Sequence, residues 1–148
     1  LRLLGAALRW IASAKYRPRA RALEDVLDRA LSGAGSTLHG VRILVEARQL
    51  RLVRELAALS PGTAGVFDTR WHVTGAAPSH DLRARGPDGW AQLADRPADA
   101  PPAEAAMALP AVFEGDVLVA CPTLIPHPQI GITLRPRGGR FVAFLLSR

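Results

Sequence analysis

Apolar positions in the first third of the chain repeat at helical spacing. Leu1, Leu4, Leu8 and Ile11 fall on one face, Leu3 and Trp10 flank them, and Arg2 and Arg9 lie elsewhere on the wheel. This predicts an amphipathic helix over about residues 1–13. Tyr16-Arg17-Pro18 interrupts it, because proline disfavours helix in the residue before it. Pro18 suits the first turn of a second helix. There Leu23, Val26, Leu27, Ala30 and Leu31 keep one face apolar, until Gly33 and Gly35 end the pattern. Beyond Gly35 the period drops to two. Residues 41–46 and 50–55, separated by Ala47-Arg48-Gln49, predict a β-hairpin.

Ser60-Pro61-Gly62 and Gly65 read as a linker. After it, residues 66–73, 81–85, 112–113, 117–121, 130–134 and 141–146 pattern as short strands. Residues 90–93 and 103–109 pattern as short helical pieces, and 95–102 as a Pro/Ala/Asp-rich surface loop. Glu114-Gly115-Asp116 and residues 135–140 read as turns. The expectation is an α+β chain in two parts. Residues 1–59 form a basic helical pair with a hairpin. Residues 60–148 form a neutral, small, mainly antiparallel β domain. No internal repeat is visible.

Composition adds two constraints. Hydrophobic residues make up 49% but aromatics only 5%, so aliphatic side chains must fill the core. Charge is unevenly placed. Residues 1–55 hold 11 Lys/Arg against 5 Asp/Glu, while residues 56–148 hold 8 of each, so the net +6 sits in the first third. A concentrated positive field points to an anionic partner, nucleic acid being the commonest. Lys15 is the single lysine. The arginine skew, with abundant Ala, Gly and Pro, also fits a GC-rich coding sequence. Arginine is the better bidentate phosphate partner whatever its origin.

The single cysteine, Cys121, has no internal disulfide partner and lies in an apolar run. It reads as a small buried hydrophobe in a reducing, cytoplasmic setting. No apolar run approaches the ~18 residues of a spanning helix, and Arg2 and Arg9 break any leader-like pattern at the start. No membrane partner is expected. The chain enters in helical pattern at Leu1 without a methionine, as a segment of a longer protein would.

Catalytic signals are lacking in these residues. Neither GxxxxGK[ST], GxGxxG nor SGGxDS occurs. The four histidines are scattered with no paired cysteines, so no metal site is expected. Apolar surroundings do not favour a Cys121 thiolate, and no catalytic residue is assigned. The best functional candidate is the basic cluster Lys15, Arg17, Arg19 and Arg21, with Tyr16 inside it as an aromatic face for a base or ribose. Four cations at the positive end of a helix repel one another, and a phosphate would relieve that. Arg42, Arg48 and Arg51 extend the patch if they share a face; Arg54 lies on the same hairpin, and Arg135, Arg137 and Arg140 make a second, weaker spot. The competing reading is a solvated helix entrance, with Tyr16 packed inward and the strand arginines facing water.

Several blocks, in order, resemble one family. Residues 7–11, Tyr16-Arg17-Pro18-Arg19, a leucine-rich helix, Ser36-Thr37-Leu38-His39-Gly40-Val41 and Arg54-Glu55 are similar to the region after the catalytic domain in bacterial tRNA(Ile)-lysidine synthetases. Val66-Phe67-Asp68-Thr69-Arg70-Trp71 resembles the family's FDGRF strand. Ala108-Leu109-Pro110-Ala111-Val112-Phe113-Glu114-Gly115-Asp116 resembles its LPALWDGD segment. His39 and Thr69 depart from the pattern, each standing where glycine is usual. The resemblance implies the tRNA-binding C-terminal portion of an enzyme that ligates lysine to the wobble cytidine of isoleucine tRNA. It implies two partners: tRNA and the catalytic domain of the same polypeptide. ATP and magnesium would belong to that domain, leaving no cofactor in this chain and no activity for it alone. A protein–protein docking or structural domain is the alternative, and a small stand-alone enzyme ranks last. Nothing in the pattern speaks to oligomeric state.

Overall fold

The computed structural model describes residues 1–146. The chain divides into two compact units, Leu1–Ala58 together with the stretch from Pro136, and Leu59–Arg135. Its class is α+β, with three small antiparallel sheets.

In the first unit, α1 (Arg2–Ile11) and α2 (Ala20–Leu31) cover one face of a three-stranded sheet. The strands are β1 (Ser36–Leu38), β2 (Val41–Glu46) and β3 (Gln49–Arg54), in that spatial order. Val41 pairs with Arg54 and Leu38, and Ile43 with Leu52. Side chains directly opposite in a ladder share a face. Leu38, Val41, Ile43 and Leu52 therefore meet Leu8, Leu23 and Val26 from the helices. Gly5 lets the helices approach closely: a Cβ there would stand 3.0 Å from Leu23 Cδ1. The stretch from Pro136 packs onto α1. Trp10 Nε1 donates to Gly139 O at 2.8 Å, and the Trp10 and Phe141 rings lie 5.4 Å apart. Phe144, buried, sits 5.2 Å from the Arg9 guanidinium.

The second unit carries two sheets. One orders β4 (Val66–Phe67), β5 (Trp71–Thr74) and β9 (Gly131–Leu134); the other orders β6 (Asp81–Ala84), β7 (Pro110–Glu114) and β8 (Val117–Ala120). Helices α3 (Gly86–Gln92) and α4 (Ala103–Met107) lie between β6 and β7 in sequence. Its buried residues include Ala111, Val112, Phe113, Ala120, Cys121 and Ile130. Arg85 is buried too. It donates to Ala106 O at 2.6 Å and Thr123 Oγ1 at 3.1 Å, and burial pushes its guanidinium below the usual range.

Several local expectations need correction. Residues 66–73 are two strands, because Asp68 and Thr69 both turn through positive φ (47° and 58°). Residues 141–146 form a helix, α5 (Phe141–Leu146), rather than a strand. A short apolar run has no readable period, and here Phe141 and Phe144, three apart, dock one helical face on α1. The first helix stops at Ile11, and Pro18 precedes the second, whose N-cap is Arg19. Residues 36–38 add a strand to the hairpin, and the hairpin loop shortens to Ala47-Arg48, with Ala47 at φ 44°.

Candidate nucleic-acid interface

The connection between α1 and α2 is short and tied down. Leaving α1, Ala14 N donates to Arg9 O at 3.0 Å and Arg9 Nε returns to Ala14 O at 3.3 Å. At the other end Pro18 restricts its own φ. Between them Lys15, Tyr16 and Arg17 are exposed, followed by exposed Arg19 and Arg21 at the start of α2. Tyr16 keeps 69% of its surface exposed, with Lys15 Nζ 5.3 Å from its ring centroid. The ring is therefore not packed into the core.

The start of α2 is electrostatically unrelieved. Arg19 is an extended N-cap with no side-chain capping bond, and the first turn holds no acidic residue. Leu23 N is the first to bond back, to Arg19 O at 3.1 Å. The earlier N–H groups have no carbonyl one turn before them in the helix. Among the described residues no carboxylate pairs with Arg17, Arg19 or Arg21. Beside them a cleft of about 210 Å³ opens between the helices, with Arg2 and Arg17 over an apolar lining that includes Gly5 and Leu23.

The strand arginines are placed differently. Register puts Arg42 and Arg51 together on the sheet face turned away from the helices, while Arg54 is on the helix-facing side. Arg51 is held by Glu46, with Nε to Oε1 at 2.7 Å and Nη2 to Oε2 at 3.0 Å. That hydrogen bonding holds the Glu46 carboxyl below its ordinary value. Arg48 is exposed at the hairpin tip. Lys15, Tyr16, Arg17, Arg19 and Arg21 thus form one cluster. Arg42 and Arg51 lie on another face, and Arg48 lies at an end of the sheet. Arg54 is structural: it donates to Gly40 O and to Ala58 O, tying the β1–β2 turn to the end of the unit.

The fold adds residues that local pattern did not attach to the cluster. Exposed Arg137 and Arg140 belong to the first unit, on the turn whose Gly139 carbonyl receives the Trp10 indole at the end of α1. Among the described residues the first unit holds 13 Lys/Arg against 5 Asp/Glu, and the second 5 against 8. The charge asymmetry is therefore larger in the fold than along the chain. No local pattern announced this return, because a six-residue apolar run has no readable period.

The remaining motifs are structural. Asp68 Oδ2 accepts from Arg70 Nε at 3.2 Å, with both residues buried, and Asp68 Oδ1 accepts from Ser60 N at 3.1 Å. Both departures from the family pattern fall on left-handed backbone, with φ 59° at His39 and 58° at Thr69. Glycine is at ease there and a β-branched residue is not. Cys121 is buried. Among the described residues no group of His, Cys, Asp and Glu is placed to hold a metal, and no helix is long and apolar enough to cross a membrane.

No family profile matches the chain, and no solved structure matches it. A curated relative does. The chain is 33% identical over 125 residues to a tRNA(Ile)-lysidine synthase of Ruegeria pomeroyi. The match takes in 82% of this chain but only 30% of that protein, so the likeness is to one portion of a lysidine synthase.

Proposed function

We propose that this chain is the tRNA-gripping C-terminal portion of a lysidine-forming ligase. The parent enzyme would join lysine to the wobble cytidine of an isoleucine tRNA. Its ATP and magnesium would be held by a catalytic domain elsewhere in the same cytoplasmic polypeptide. This chain would bind and position the RNA and would have no activity alone. The observation that carries the reading is the set of exposed arginines without carboxylate partners, Arg17, Arg19 and Arg21, at an uncapped helix start in a strongly basic unit. Phosphate oxygens supply the charge that this geometry lacks. The similarity to part of a lysidine synthase supports tRNA as that RNA.

Filter binding of tRNA at several salt concentrations tests it. Each phosphate contact adds about −0.9 to the slope of log affinity against log salt on duplex and about −0.7 on single strands. Replacing Arg17, Arg19 and Arg21 together by alanine should weaken binding and flatten that slope by about 2 to 3. Unchanged affinity and slope would leave the cluster a solvated face and favour a docking domain instead.

A further inference from the structure

All eight aromatic residues lie among the described residues, and Tyr16 alone is exposed. It is flanked in sequence by Lys15 and Arg17 and carried on a segment tethered to α1 by the Arg9–Ala14 bonds. A tyrosine has only two side-chain torsions, so it loses little freedom when a ligand covers its ring. Lys15 Nζ lies 5.3 Å from the ring centroid, and 69% exposure leaves the side chain open to a partner.

Duplex RNA hides its base faces in the stack and offers only phosphates, 2′-hydroxyls and groove edges. An exposed aromatic face among cations matches an unpaired base with its flanking phosphates. Resting on the proposed RNA-binding role, we infer that the α1–α2 connection recognises an unpaired nucleotide. Its base stacks on Tyr16, and the phosphates on either side meet Arg17 and Arg19. The arm therefore distinguishes a loop, bulge or single-stranded end from continuous helix, a discrimination that the arginines alone do not provide.

Fluorescence anisotropy with two labelled RNAs of equal phosphate count, one unstructured and one duplex, tests this. Tyr16→Ala should bind the unstructured RNA about ten-fold more weakly, the scale of one stacked base. It should leave duplex binding and both salt slopes unchanged, because no phosphate contact is removed. Tyr16→Trp should restore the unstructured RNA. Equal effects of Tyr16→Ala on the two RNAs, or none on either, would overturn the inference while leaving RNA binding intact. Failure of the unaltered chain to bind either RNA would overturn both proposals.

Discussion

Replacing Thr69 by glycine should stabilise the protein. The turn from Phe67 to Arg70 closes with Arg70 N donating to Phe67 O at 3.2 Å, and its two central residues have φ 47° and 58°. Two left-handed central residues make the type I′ geometry that favours Asp-Gly. Asp68 satisfies the first position, and its carboxylate is used by Arg70 and Ser60. Thr69 at the second is exposed and β-branched. A left-handed conformation costs an L-residue roughly 1–2 kcal/mol. Glycine removes that strain but loses about 0.5–1 kcal/mol through its freer unfolded chain. The expected net gain is about 0.5–1 kcal/mol. Urea unfolding followed by tryptophan fluorescence reads it, since Trp71 and Trp90 lie in the same unit as Thr69. The midpoint should rise with an unchanged denaturant slope. Thr69→Val keeps the β-branch and should stay within about 0.5 kcal/mol of the parent. If Thr69→Gly lowers the midpoint, or Thr69→Val raises it as much as glycine does, backbone strain is not the controlling quantity.

Two further outcomes follow from the hairpins of the first unit. Gly40→Ala should destabilise by about 1–3 kcal/mol, because φ is 71° and the new Cβ runs into the Arg54 guanidinium and lies 3.0 Å from the Ala58 Cβ. A thermal melt reads it, and an unshifted transition would contradict the Arg54 tie. The hydrogen bond from Arg51 lowers the Glu46 pKa in the folded state. Its contribution is therefore present above the ordinary carboxylate pKa of about 4.3 and is lost as pH falls through the lower folded value. NMR titration of Glu46 should show its pKa move up in Arg51→Gln; no movement would refute that cause.

Local pattern carried the helical pair, the hairpin, the short strands of the second unit and the position of the net charge. Each depends on spacing within one segment. Leu23, Val26 and Ala30 are the buried positions of α2 because a 3.6-residue repeat leaves that face apolar whatever it packs against. The exposed cluster from Lys15 to Arg21 was legible for the same reason: a break at Pro18 and a run of cations are properties of adjacent residues. The split of residues 66–73 was not legible. Its turn uses Asp68 and Thr69, with no glycine or proline to mark it, and it persists because Asp68, Arg70 and Ser60 bond across it. Tertiary structure also decided that residues 141–146 are helical, since only contact with Trp10 and Arg9 gives their apolar run a face. It alone turned Arg42 and Arg51 away from the helices, closed Arg51 onto Glu46, and brought Arg137 and Arg140 into the basic unit. Alternation states that a strand has two faces; which face meets a partner is settled by the atoms that arrive from elsewhere in the chain.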